Sequence, residues 1–451
     1  PSMMMSDGPH GLRKQPETAD MLGINESVPA TSFPTAVLSA CSWDKELLKK
    51  EGEAIAREAI ANKVSLVLGP GANIKRNPLC GRNFEYFSED PYLSGKMAAA
   101  HISGIEKTGC GSSLKHFALN NQEYKRFSSD SLVDERTMRE IYLASFETAV
   151  KEGHPSTVMC SYNKINGTYS SDNRWLLTEV LRDEWGFDGF VVTDWASAFE
   201  MVNHGFAVNN KHAGELSINA GVDMDMMSYS FISHLEELVD EGKVSMRRVD
   251  AAVRNILRIK YRLGLFDNPY VDVEKARKAS YTAEALEAAR KSAVESAVLL
   301  SNDDVLPLDK GNIKTVLVTG PMADAPHDQL GTWTFDGDAG HTVTPLQAIR
   351  DLYGSDVEII YEPGLAYSRE FSAKGIRKAA AAARKADVIL AFVGEEAIMS
   401  GEAHCLVDIE LKGDQRTLIK ALYDSGKPVV LTVMAGRPLE LDFELEHSDA
   451  I

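Results

Sequence analysis

Several short apolar runs in the first two hundred residues stop abruptly on side chains able to do ionic or acid–base chemistry. The run Phe190-Val-Val-Thr193 ends on Asp194 and Trp195. An earlier one ends in Ser6-Asp7 and leads to Gly8-Pro-His10-Gly-Leu-Arg13; beyond a second lie Gly81-Arg82-Asn-Phe-Glu85 and Ser88-Glu89-Asp90. A third closes on Lys115-His116-Phe117 and a fourth on Ser161-Tyr162-Asn163. A lone strand-terminal aspartate often only caps the next helix. Repetition at consecutive strand ends points instead to a shared site, as at the C-terminal mouth of a parallel barrel. Carboxylates, a guanidinium, an ammonium, an imidazole and a phenol can grip several hydroxyls, while an indole offers a flat apolar face. That composition favours a carbohydrate.

The elements that must carry these groups are legible from periodicity. Strands are predicted at Ser2–Ser6, Ser65–Leu68, Ser113–Phe117, Thr157–Cys160, Phe190–Thr193 and Val222–Met226, with a turn or strand at Phe33–Leu38. Helices alternate with them. One is predicted from Asp134 to Glu152, with Met138, Ile141, Tyr142, Phe146 and Val150 on its apolar face, and another from Asn173 to Trp185. Six or seven such units predict a (β/α)8 TIM-like barrel over residues 1–265. Residues 266–312 are predicted to be a linker holding one helix, from about Thr282 to Val298. Buried-type strands at Thr315–Thr319, Val357–Tyr361, Val388–Val393 and Val429–Val433, with helices Ala373–Lys385 and Asp414–Ser425, predict a second α/β layer domain over 313–451. After the first of these strands, Gly320-Pro-Met-Ala carries neither a dinucleotide fingerprint nor a phosphate-loop lysine, so no nucleotide is expected there.

The bulk composition narrows the partners. The chain has 451 residues, 66 acidic against 48 basic, for a net charge of −18. That length predicts two domains, and that charge disfavours a phosphate backbone, so no nucleic-acid partner is expected. No run approaches the roughly 18 apolar residues of a membrane helix, and no membrane partner is expected. Five widely spaced cysteines with no C-x-x-C pair predict neither a disulfide framework nor a zinc site, and reduced thiols fit a cytoplasmic protein. The opening Pro1-Ser-Met-Met-Met5 and the close Ser448-Asp-Ala-Ile451 both read as interrupted strands, so further domains and an incomplete second domain are expected. Homo-oligomerisation is left open.

The strings DGPHGLR, GRNFEYFSEDPYLSG, KHFALNNQE, CSYNKINGTYSSDN and GFVVTDWAS, with VTPLQAI and Gly394-Glu-Glu-Ala in the second domain, resemble glycoside hydrolase family 3, in its β-glucosidase branch. The resemblance implies a (β/α)8-type barrel followed by an αβα sandwich, with a nucleophilic aspartate on the barrel and an acid/base glutamate on a loop of the sandwich. Carried over by position, the nucleophile is Asp194, and the innermost sugar is held by Asp7, Arg82, Lys115, His116 and Tyr162 with Trp195 stacking nearby. The acid/base falls on Glu402, where Met399-Ser-Gly-Glu402-Ala-His404 is similar to the family's loop; Glu395 and Glu396 are its competitors, because the arginine that usually follows is absent. The branch that removes N-acetylglucosamine has a different string after the Lys-His pair.

The implied reaction is exo-hydrolysis of terminal β-glucosyl units by double displacement with retention, with no metal or cofactor and with β-linked glucosides or oligosaccharides as partners. The alternatives are a β-xylosidase or broad β-glycosidase, a sugar-binding chain that has lost turnover, and a phosphorylase on the same scaffold.

Overall fold

A computed structural model describes residues 1–16, 25–334 and 336–451, and it divides into two compact units, 1–296 and 297–451. Twelve strands are present among the described residues: β1 Met5–Asp7, β2 Leu66–Leu68, β3 Gly111–Phe117, β4 Asp130–Ser131, β5 Thr157–Cys160, β6 Lys164–Ile165, β7 Thr168–Tyr169, β8 Phe190–Val192, β9 Thr315–Thr319, β10 Glu358–Tyr361, β11 Val388–Gly394 and β12 Val429–Met434. In the first unit, β1-β2-β3-β5-β8 pair in parallel in chain order, and β8 continues by a parallel bridge to Met224. An order that never reverses is that of a singly wound barrel, not of a doubly wound sheet. Strands β4, β6 and β7 form a small separate sheet.

One apolar cluster shows how the sheet curls. Met5 from β1, Leu66 and Leu68 from β2, Met159 from β5, Phe190 and Val192 from β8, and Met224 and Met226 all meet around Ile256, Ile259 and Leu263. First and last strands thus share one core. On the outer face, the helices Pro91–Lys107, Glu135–Gly153 and Trp175–Glu184 pack around Leu114, Phe117, Val158 and Val191.

A carboxylate ties helix to sheet. Glu106, near the end of the helix Pro91–Lys107, accepts from the backbone N–H and hydroxyl of Ser112 on β3 (2.8 and 2.6 Å) and of Ser156 before β5 (2.7 and 2.8 Å). Four donors, two on β3 and two just before β5, therefore end on one side chain.

The structure departs from the sequence reading in several places. Val222–Met226 holds no strand, only an isolated parallel bridge at Met224, and the helix expected from Asn173 to Trp185 is a π-helix, Trp175–Glu184. Phe33–Leu38 holds no strand; a short helix, Ala36–Ser39, begins there. The helix expected over 134–152 contains two π-helical segments, Met138–Tyr142 and Ala149–Gly153, and the wider turn shifts the helical phase so that Ile141 is exposed while Met138, Phe146 and Val150 stay buried. The helix assigned to a linker, Ala283–Glu295, lies in the first unit: Ala285 joins the core around Ile55, and Ser292 meets Ser39 at 3.3 Å. Its Ala-rich, weakly periodic sequence hid a packing face.

In the second unit, β10-β9-β11-β12 are all parallel, so the chain starts inside the sheet, leaves to one edge and crosses back. Alternation along the strands divides the two faces. Val316, Val318 and Val388 meet Leu346 and Tyr353 of the helix Pro345–Tyr353; Leu317, Ile389, Ala391 and Val393 meet Ile376, Ala379, Leu418, Ile419 and Leu422 of two helices opposite. This unit is an αβα sandwich.

Glu106→Ala strands four donors, and it is expected to destabilise the first unit by about 1–3 kcal/mol in chemical denaturation; wild-type stability would show that the clamp carries nothing.

Candidate active site

At the C-terminal ends of β1 and β3, and in the loop after β2, charges interlock. Lys115 Nζ lies 2.9 Å from Asp7 Oδ1 and 3.1 Å from Glu85 Oε1. Arg82 Nε lies 2.8 Å from Glu85 Oε2, and Arg13 caps the other oxygen of Asp7 at 2.8 Å. Burial is nearly complete, at 2% exposure for Arg82, 3% for Lys115 and none for Glu85. Burial alone would raise the Asp7 pKa, but Lys115 and Arg13 outweigh it and hold the carboxyl below its ordinary value. Glu85 is likewise held down by Arg82 and Lys115 against its burial. Burial lowers the Lys115 pKa less than Asp7 and Glu85 raise it, so the ammonium is kept charged.

Asp194 follows β8 and is buried. Its Oδ1 accepts from the N–H of Trp195 at 2.7 Å, and the following helix, Ser197–Asn203, has no side-chain cap. His116 Nε2 stands 3.8 Å from Asp194 Oδ2. Tyr162 donates its hydroxyl proton to Trp195 O at 2.8 Å, packs edge-on against Phe127 and lies beneath Arg126. It braces the Asp194-Trp195 segment, and Trp195 itself is half-buried.

The residues expected on the barrel, Asp7, Arg82, Lys115, His116, Tyr162, Asp194 and Trp195, therefore all occupy the C-terminal ends of consecutive parallel strands or the loops just after them. Asp90, quoted in the same cluster, instead caps the helix Pro91–Lys107 by accepting from Leu93 N–H at 2.9 Å. The sequence reading undervalued four residues. Glu85 anchors two cations; its three-residue spacing from Arg82 was the available signal. Asn73 brackets the backbone of His116 with bonds of 2.9 and 2.8 Å, Tyr86 reaches its ring, and Asn120 donates to the Tyr86 hydroxyl. Nothing in their local sequence marks these three.

Glu402 belongs to the second unit and sits half-buried in the turn Gly401–Ala403. Its competitors are engaged elsewhere. Glu396 is gripped by Arg369 through two 3.0 Å bonds and accepts from Ser368 Oγ at 2.6 Å, and the arginine bond lowers its pKa. Glu395 is paired with fully buried Arg437 at 3.0 Å; burial raises its pKa despite that cation. Arg437 also bonds Met399 O and Ser400 Oγ, so Glu395 and Arg437 hold the segment from which the Glu402 turn springs.

A model of the glycosyl hydrolase family 3 N-terminal domain matches residues 17–259, and one of its C-terminal domain matches 297–451. The chain belongs to glycoside hydrolase family 3, with the barrel and sandwich of that family. It is 43% identical to thermostable beta-glucosidase B of Acetivibrio thermocellus over 98% of its own length and 56% of that protein. It is 37% identical to an exo-alpha-(1->6)-L-arabinopyranosidase of Bifidobacterium longum over 97% of its length, again 56% of the relative. Among solved structures, a beta-glucosidase from Listeria innocua in complex with glucose superposes with a TM-score of 0.88 at 32% identity, covering 99% of this chain and 60% of that one. The chain thus spans little more than half the length of these two curated relatives.

The charge cluster sets a pH signature. Asp7 and Glu85 have depressed values, so their contribution to stability is present above the ordinary carboxylate range and lost as pH falls through the depressed values. Lys115 is raised, so its contribution holds below the ordinary lysine value and disappears as pH rises through the raised one. Lys115→Met removes the cation shared by the buried Glu85 carboxylate and the partly buried Asp7. It is expected to cost about 3–5 kcal/mol at neutral pH, with part of the deficit recovered on acidification; denaturation from pH 4 to 9 checks both, and a uniform deficit would contradict the pairing.

Proposed function

We propose that the protein is a retaining, exo-acting β-glucosidase that removes terminal non-reducing β-D-glucosyl units. The observation that carries this reading is the buried constellation on the barrel: a strand-end carboxyl group, Asp194, beside a fixed array of charged donors and acceptors with an indole edge. Asp7 presents an acceptor, Lys115, Arg82 and His116 present donors, Glu85 holds two of those cations in place, and Trp195 offers an apolar face to a sugar ring. Charge-assisted hydrogen bonds to hydroxyls are worth about 1.5–3 kcal/mol each, and a cage whose geometry is already set by ion pairs requires little reorganisation when a sugar enters.

In the proposed reaction, Asp194 attacks the anomeric carbon while Glu402 protonates the leaving oxygen. Water activated by Glu402 then releases the sugar from Asp194. Glu402 is preferred as acid/base because the family resemblance places it there, and because Arg369 lowers the Glu396 pKa, which disfavours that carboxyl as an acid. The similarity to enzymes named as beta-glucosidases and to a structure holding glucose supports glucose as the sugar. The arabinopyranosidase relative supports a second reading, a broader pyranosidase specificity in the same pocket.

Proton NMR of the first product separates these readings from inversion. Hydrolysis of an aryl β-glucoside is expected to release the β-anomer of glucose first, with kcat/KM higher than for the matching β-xyloside or α-L-arabinopyranoside. Initial release of the α-anomer would contradict double displacement, and a higher kcat/KM on the arabinopyranoside would favour the second reading. Glu402→Ala should lose about 10²–10⁴-fold on a disaccharide and far less on an activated aryl glucoside. A selective loss in Glu395→Ala instead would move the acid/base assignment.

A further inference from the structure

A buried chain of polar groups runs from the candidate nucleophile to a buried ion pair in the loop after β3. His116 Nε2 faces Asp194, and on the other side of the ring Nδ1 lies 3.1 Å from the Tyr86 hydroxyl. Asn120 Nδ2 donates both to that hydroxyl, at 2.9 Å, and to Glu123 Oε1, at 3.2 Å. Glu123 Oε2 accepts from Arg126 at 3.0 Å. All five of these residues from His116 to Arg126 are buried, with exposures between 1% and 7%.

The direction of every proton in this chain follows from its far end. The Glu123 carboxylate, paired with Arg126, has no proton to give, so the Asn120 amide must turn its NH₂ toward it, and the orientation of the amide is decided by a charge. The same NH₂ supplies a hydrogen to the Tyr86 oxygen. Tyr86 then has its own hydroxyl proton left, and the acceptor in reach is His116 Nδ1. A ring that accepts at Nδ1 carries its hydrogen at Nε2.

We infer that Tyr86, Asn120 and Glu123 are positioning residues that fix His116 as the Nε2–H tautomer, so that it presents a hydrogen-bond donor to the space beside Asp194. Burial first, and then Arg82, Lys115 and Arg126, push the His116 pKa well below its ordinary value, which keeps the ring neutral and makes the tautomer meaningful. Burial also holds the Tyr86 phenol protonated. At 3.8 Å the Nε2–H falls short of a hydrogen bond to Asp194 Oδ2. A sugar hydroxyl is the group that can take it. This last step rests on the proposed function; the tautomer rests on the network alone.

The chain makes an unusual demand of Glu123→Gln. Arg126 requires the oxygen of the new amide, which turns its NH₂ toward Asn120. Asn120 must then flip and offer Oδ1, Tyr86 gives its proton to that oxygen, and His116 is left to donate from Nδ1. A substitution three hydrogen bonds away from the ring should therefore invert its tautomer.

Protein labelled with ¹⁵N at histidine, observed by NMR at neutral pH with the His116 signals identified by their loss in His116→Gln, reads this directly. Wild type is expected to show an unprotonated Nδ1 and a protonated Nε2, and Glu123→Gln the reverse, with kcat/KM on an aryl glucoside reduced about tenfold or more. Tyr86→Phe should lose the Nδ1 bond and show about a three- to tenfold loss. A protonated Nδ1 in wild type overturns the inference, as do unchanged nitrogens in a folded Glu123→Gln. Should Glu123→Gln fail to fold, the wild-type nitrogens still decide. Absence of turnover in wild type with the expected tautomer would count against the proposed function and leave the network standing.

Discussion

Lys115 is the hinge of the structure's logic. It stands at the end of a fully buried strand, where an isolated ammonium would be too costly to keep, and it is tolerated because Asp7 and Glu85 meet it from two other segments. Each of those carboxylates is held in turn by an arginine. The constraint is mutual: β1, the loop after β2 and β3 must end at the same height for these charges to cancel, and a barrel with sequential parallel pairing is what brings three successive strand ends together. Breaking one partner leaves the others buried and uncompensated. Such a cage is therefore rigid without being a source of large net stability, which is what a polyhydroxyl ligand needs from a pocket.

Around the cage, less conspicuous groups carry orientation. Asn73 fixes the His116 backbone, Tyr162 fixes the backbone at Trp195, and Arg437 with Glu395 fixes the segment before Glu402. Each converts a loop or strand end into a platform of defined direction, and the groups they hold are those the family resemblance assigns to the reaction.

Much of this was visible in the sequence for a physical reason. Strands buried on both faces read as continuous β-branched runs, so Thr157–Cys160 and Thr315–Thr319 are found where expected, and Phe190–Val192 stops one residue short of the prediction. Their polar terminations located Asp7, Lys115, His116 and Asp194. What stayed hidden depends on partners distant in sequence. Glu85 next to Arg82 looks like a local surface pair, and only the fold brings Lys115 to it. Tyr86 and Asn120 carry no spacing signal, because their function is to meet each other across a gap of 34 residues. Ile141 was misplaced because periodicity assumes an α-helix, and a π turn changes the phase. The Ala-rich helix Ala283–Glu295 packs with small residues, which leaves little hydrophobic contrast to read.

The claim on which the functional account stands is that Asp194 becomes covalently bonded to the sugar. A 2-deoxy-2-fluoro-β-glucoside with a good leaving group slows the second displacement more than it slows the first, so the intermediate accumulates and can be mapped by mass spectrometry after proteolysis. The account predicts one fluoroglucosyl unit per chain on the peptide carrying Asp194, with activity lost in step with labelling. An adduct on another carboxylate of the cage, Asp7 or Glu85, or retained turnover with no adduct at all, would contradict it.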